Sequence, residues 1–313
     1  MKKCIAFLIT VSYFFLAQAQ QKSVQELLGY PASTKLLIIH ADDLGVSQSE
    51  NAASIYAMEK GSINSGSIMV PCPWMGDMAA YARTHPTADL GLHLTLTSEW
   101  KNYKWGTVGA PNQTPALLNK LGHFYSATDS LYMYSNAAEV EKEIRAQIER
   151  AKQFGIDPTH FDAHMGCLFG TPEYLQILVR LGREYRVPVL LNREAFKVVF
   201  NLNLDKYISD KEVLVDKLYM AQPADFKTGM AAFYTNVMKS LQPGLSCILL
   251  HAAYDNAEMQ AVTIDHPEYG AAWRQADFEF FSGEACRKLI KDEHIQLVTW
   301  REIRDKLVRG GGK

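Results

Sequence analysis

The chain of 313 residues has little cysteine, no surplus of either charge and no long hydrophobic run beyond its N-terminus. Five cysteines (Cys4, Cys72, Cys167, Cys247 and Cys286) stand at spacings that match no zinc motif, which argues against a zinc-stapled domain. Lysine plus arginine number 32 against 34 aspartate plus glutamate, and the formal net charge of −2 argues against nucleic acid or an anionic membrane as the main partner. Repeats, low-complexity tracts and linkers are also missing, which favours one domain. Apolar residues run only from Ile5 to Leu16, too short for a comfortable membrane span. They follow Met1-Lys2-Lys3 and lead to Ala17-Gln18-Ala19, the pattern of a secretory signal. We therefore expect residues 1–19 to be a signal peptide and 20–313 a single domain that is exported, periplasmic or secreted. Cys4 lies too early for a lipoprotein cysteine. An oxidising compartment permits disulfides without requiring them, and Cys247, beside an apolar run, reads as core.

What the chain does have is alternation of strand and helix signals. Leu36-Leu37-Ile38-Ile39 predicts a buried strand, and Ser47-Gln48-Ser49-Glu50 a capping box opening a helix that ends near Gly61. A strand is predicted around 67–70, a helix over 75–83, and a strand over 90–97, where Leu92, Leu94 and Leu96 alternate with His93, Thr95 and Thr97. From Ser98 to Ser135 lies a stretch rich in Trp, Tyr, Gly, Pro and Asn, a loop long enough to be a lid or wall. Val140, Ile144, Ile148 and Ala151 stripe the next helix, stopped at Gly155. Further strands are predicted over 158–164, 187–191, 247–251 and 295–299. Helices are expected from Thr171-Pro172 onward and over 224–240, 282–293 and 300–308. About seven strands alternating with helices predict an α/β fold, a parallel (β/α) barrel that is incomplete.

Polar residues gather at the predicted strand ends. The first strand ends on Asp42 and Asp43, two adjacent carboxylates that cannot both be cheaply buried, and Ser47 is available as the helix cap in their place. His160, Asp162 and His164 share one face of a strand, with Phe161 and Ala163 on the other. His160 alone reads as a satisfied interior group; together with Asp42, Asp43 and His93 the set reads as a site. Carboxylate and imidazole donors suit zinc and similar divalent ions. Trp100, Tyr103 and Trp105 in the long loop, with Trp74 and Tyr254, offer aromatic faces of the kind that bind sugar rings, and equally of the kind that merely pack loops. Arg274 and Asp277 could orient His251 but read better as a surface ion pair. His85, His123, His266 and His294 read as loop or surface residues.

His40-Ala41-Asp42-Asp43-Leu44-Gly45, Gly91-Leu92-His93-Leu94-Thr95 and Pro158-Thr159-His160-Phe161-Asp162-Ala163-His164 resemble, in order and spacing, the motifs of the YdjC-like carbohydrate deacetylases. The resemblance runs from about Lys35 to Leu307. It implies a deformed (β/α) barrel related to NodB-type polysaccharide deacetylases and one divalent metal ion, zinc or magnesium, held by Asp43, His93 and His164. It further implies Asp42 as general base and His251 as general acid. His160 and Asp162 would stand behind the ligands or in the site wall, and Trp100, Trp105 and Tyr254 are candidates for contact with an acetylated carbohydrate. Two departures alter the pocket wall: Met165-Gly166-Cys167 follows His164, and Ala252-Ala253 follows His251 where the family usually has Pro-Gly.

A metal held by one carboxylate and two imidazoles leaves positions for water and an acetyl oxygen. A metal phosphoesterase, a glycosidase with Asp42 and Asp162 as its acid pair, and a non-catalytic sugar-binding protein on the same barrel are the competing readings. Binding alone would not require both a base and an acid.

Overall fold

The computed structural model describes residues 22–310, so the expected signal peptide lies outside the described residues. Seven strands build one parallel sheet: β1 (Lys35–Leu44), β2 (Ser65–Ile68), β3 (Leu90–Leu94), β4 (Phe161–Ala163), β5 (Lys217–Met220), β6 (Gly244–Leu250) and β7 (Ile295–Leu297). Their order is β4-β3-β2-β1-β6-β5, and β7 pairs with the first three residues of β1. The sheet curls without closing, an incomplete parallel barrel with its helices outside. No helix among the described residues is long and apolar enough to cross a membrane.

β1 is buried along almost its whole length and alternates between two cores. Leu37, Ile39 and Ala41 belong to the large cluster under the helices, while Leu36 and Ile38 join Leu245, Cys247, Val298 and Trp300 in the smaller one. Each aliphatic side chain so buried contributes about 1.5–3 kcal/mol relative to exposure. The face that begins with Leu36 and Ile38 continues as His40 and Asp42, and so turns polar toward the carboxyl end of the strand. Trp300 stacks on the His160 ring with centroids 5.3 Å apart. Its helix is held by Asp89, which accepts the backbone N–H groups of Trp300 and Arg301 at 2.9 and 2.8 Å.

Three expectations need correction. Residues 187–191 form no strand; a single bridge joins Phe161 to Val189 across the seam between β4 and β5. Pro188 has no N–H to extend a ladder there, and Leu191 instead accepts from Val215 N at 3.0 Å. The missing strand is β5, whose half-exposed Lys-Leu-Tyr-Met carries no strong apolar signal. The helix expected over 224–240 is two, Pro223–Thr228 and Met230–Ser240, parted at Gly229 with φ 114°. The strand expected over 158–164 shortens to β4, and His164 opens a tight turn in which Met165 takes φ 51°. Cys247 is buried as expected, and all four described cysteines are free.

Candidate active site

Alternation along an ideal strand would send Asp42 and Asp43 to opposite faces. The backbone prevents this. Between Ala41 and Leu44, β1 advances three residues while its partner β2 advances two, a bulge, and Asp43 takes φ 61° in the left-handed region. Both carboxylates thereby reach the same pocket at the carboxyl end of the sheet. A non-glycine residue held in this conformation costs of order 1–3 kcal/mol, and such strain clusters at functional sites.

Asp43 Oδ1 lies 3.4 Å from His93 Nε2 and 3.2 Å from His164 Nδ1. All three side chains are buried, and one ligand atom from each falls within 4.8 Å of the others. Neither imidazole meets Asp43 Oδ1 in hydrogen-bond geometry, so that buried oxygen has no partner, and neither has Asp42 Oδ1. The far nitrogens, by contrast, are occupied. His93 Nδ1 is 2.8 Å from Asp162 Oδ1, and His164 Nε2 is 2.9 Å from Glu99 Oε2. Imidazoles held from behind by carboxylates, facing an unpartnered carboxylate oxygen, are the donor set of a divalent metal site. The residues present therefore fit the ion that the resemblance implies.

The base and acid candidates adjoin it. His251 Nε2 stands 3.2 Å from Asp42 Oδ1 and 3.9 Å from Asp43 Oδ2. Burial pushes the His251 imidazole below its ordinary value, with Asp42 opposing. Burial works against ionisation of Asp43, yet Arg274 and then His164 outweigh it and hold the carboxyl well below the usual range. Burial likewise disfavours imidazolium at His164, but Glu99 and Asp43 lift it to about 9; at His93 the same contest, won by Asp162, raises it well above an ordinary histidine.

Behind His93 lies a buried polar layer. Asp162 Oδ2 accepts from Ser67 Oγ at 2.9 Å and sits 3.0 Å from His40 Nε2, while His40 Nδ1 is 3.0 Å from Ser65 Oγ. His160 stands deeper, with Nδ1 3.0 Å from Thr159 Oγ1 and its Nε2 unpartnered. It stands with His40 and Asp162, one potential ligand atom from each lying within 4.8 Å of the others. Its ring occupies the space beside Gly91, where a Cβ would come within 2.4 Å of it.

Arg274 and Asp277 form no surface ion pair. Both are buried: Arg274 donates to Asp43 Oδ2 and Glu50 Oε2 at 2.8 Å each, and Asp277 accepts the His251 backbone N–H at 3.1 Å and the Tyr234 hydroxyl at 2.6 Å. The capping box is corrected with them. Ser47 accepts from Glu50 N, but the Glu50 carboxylate is drawn to Arg274 and does not return to the cap. Trp100 is buried with the Arg274 guanidinium over its ring at 5.4 Å, and Trp105 lies 6.3 Å from the His164 ring. The Tyr254 ring packs on Phe278, with centroids 4.9 Å apart. His266, expected in a loop, meets Trp100 edge to face at 5.0 Å.

Sequence reasoning missed His40, Glu50 and Glu99 as site residues. His40 could have been found, since it shares a strand face with Asp42. Glu99 and Glu50 could not, because nothing in a loop or helix sequence announces a partner far along the chain.

A family model described as YdjC-like protein matches residues 36–292. The carbohydrate deacetylase of Thermus thermophilus is 29% identical over 285 residues, 87% of this chain and 95% of that one. The carbohydrate deacetylase of Brevibacillus brevis is 26% identical over 269 residues, covering 85% and 99%. The chitooligosaccharide deacetylase of Serratia marcescens is 29% identical over 170 residues, covering 52% and 62%. A solved structure from Enterococcus faecalis V583, provisionally described as a cellobiose-phosphate cleavage protein, superposes with a TM-score of 0.74 at 22% identity, over 87% and 99% of the two chains; that likeness concerns the fold.

Proposed function

The chain belongs to the YdjC-like protein family, and from that premise we propose that it is a metal-dependent carbohydrate deacetylase, hydrolysing the acetamide of an N-acetylated sugar. The observation that carries the reading is the convergence of Asp43 Oδ1, His93 Nε2 and His164 Nδ1 beside the Asp42–His251 pair. Asp43, His93 and His164 would hold one divalent ion, zinc or magnesium, which when bound polarises the acetyl carbonyl and acidifies water. Asp42 takes a proton from the attacking water at its unpartnered Oδ1. The water oxygen bonds to the acetyl carbon, the carbon–nitrogen bond breaks, and the products are acetate and a free amine. His251, within hydrogen-bond reach of Asp42, delivers the proton to the departing nitrogen. Asp162 and Glu99 keep His93 and His164 facing the reaction by occupying their far nitrogens. Trp100 and Trp105 wall the site with apolar surface, and the side chain of Met165, beside His164, is 47% exposed.

Export is part of the proposal and rests on residues 1–19; fractionation of the native cells with the full chain would test it. The activity is tested by incubating the purified protein with N,N′-diacetylchitobiose and measuring acetate and new primary amine. Both should appear in equal amounts, vanish on chelation and return with added zinc or magnesium. Binding of the disaccharide with no acetate from the metal-loaded protein would favour the sugar-binding alternative and sink the hydrolase.

A further inference from the structure

Asp43 belongs to two groups of potential ligands at once. One is Asp43 with His93 and His164; the other is Asp42, Asp43 and His251, whose ligand atoms also lie within 4.8 Å of one another. Asp43 faces the first group with Oδ1 and the second with Oδ2, the latter 3.9 Å from His251 Nε2. Adjacent donor sets bridged by one carboxylate are the framework of two-metal hydrolases, which use the pair of ions to clamp attacking and leaving oxygens. Here a protein cation is already in place. The Arg274 guanidinium, 1% exposed, donates to Asp43 Oδ2 at 2.8 Å.

Its position is set on every side. Arg274 Nε donates to the Tyr269 carbonyl at 2.7 Å, the second amino group to Glu50 Oε2 at 2.8 Å, and the guanidinium lies over Trp100. A fork this fully tied cannot swing away, unlike a lysine on its flexible stem. It occupies one of the two lone pairs of Oδ2, and its charge repels a cation arriving between Asp42 and His251.

We propose that Arg274 is the fixed second cation of this site: by holding Asp43 Oδ2 it confines the pocket to one divalent ion and leaves Asp42 and His251 free of metal. The inference rests on the metal-dependent reading above and deepens it. A base and an acid that must move protons have to remain unligated, and Arg274 keeps them so.

The test is zinc stoichiometry, read by elemental analysis after metal-stripped protein is equilibrated with excess zinc and desalted. Wild type should hold one ion per chain. Arg274→Met alone would strand the Glu50 carboxylate in the interior, so the deciding variant is Arg274→Met with Glu50→Gln, with Glu50→Gln alone as control and circular dichroism confirming the fold. The double variant should hold two ions per chain and the control one. One ion per chain in the folded double variant would overturn the inference while leaving the metal-dependent reading intact. Two ions in the wild type would overturn it as well. No zinc in the wild type would overturn that reading and this inference together.

Discussion

At the scale of single residues, Asp42 and Asp43 divide two tasks between neighbouring carboxylates. Asp43 is locked by Arg274 and faces two imidazoles; Asp42 faces His251 and keeps an oxygen without a partner. Asp43→Ala should abolish metal binding, whereas Asp42→Asn should keep the ion and lose about 10²–10⁴-fold in turnover. Calorimetric metal titration beside acetate release would separate the two, and near-normal turnover in Asp42→Asn would refute the base assignment. Protons compete for the same site. His164 is lifted to about 9 and His93 is raised well above an ordinary histidine, so the neighbouring carboxylates favour the protonated form of both imidazoles. A metal needs the neutral imidazoles, so binding expels their protons, and affinity should climb with pH through neutrality toward the His164 value of about 9. Proton release, measured as the dependence of binding heat on buffer ionisation enthalpy, should be positive at pH 7. A pH-independent affinity between 6 and 8 would contradict it.

At the scale of elements, the long loop that follows β3 is more than a cover. Although it contains the helix Thr128–Tyr134, its irregular first residues deliver Glu99 to the far nitrogen of His164 and so orient a ligand on another strand end. Glu99→Gln should weaken metal affinity by about 10–100-fold while leaving the fold unchanged. Equal affinity in the two proteins would mean that Glu99 only packs the loop. β3 contributes in the opposite way, through the side chain it lacks. Gly91 leaves room for the His160 ring against the strand, and a Cβ there would come within 2.4–2.6 Å of three atoms of that buried ring. Gly91→Ala should therefore cost about 1–3 kcal/mol of stability, visible as a lower midpoint in urea. An unshifted midpoint would show that His160 can move.

At the scale of the whole molecule, the site ties together chain ends far apart in sequence. Asp43 comes from β1, His93 from β3, His164 from beyond β4, His251 from beyond β6 and Arg274 from the helix Ala271–Ser282. An ion bound across these elements stabilises only the folded chain. Metal at about 100 times its dissociation constant should contribute about 2.7 kcal/mol, and chelation should lower the melting temperature correspondingly. A melting curve indifferent to chelator would mean that no ion spans the sheet.

The order of strands and helices, the buried course of β1 and the gathering of Asp42, Asp43, His93 and His164 at strand ends were legible in the sequence, because period-two and helical patterns report burial directly and strand ends in a parallel barrel meet at one mouth; singling out Asp43, His93 and His164 as the ligands took the family resemblance. The count of seven strands was legible, but one member was not. An apolar run broken by Pro188 looked like a strand, while Lys217–Met220, half exposed at the sheet edge, did not. Only the tertiary structure decided which way Asp43 faces, through a bulge and a left-handed backbone that no local pattern encodes. It alone paired Arg274 with Asp43 and Glu50, and Glu99 with His164. The physical reason is common to all of them. Hydrophobic periodicity is a property of neighbours along the chain, whereas a buried charge is satisfied by whichever opposite charge the fold brings within hydrogen-bond distance.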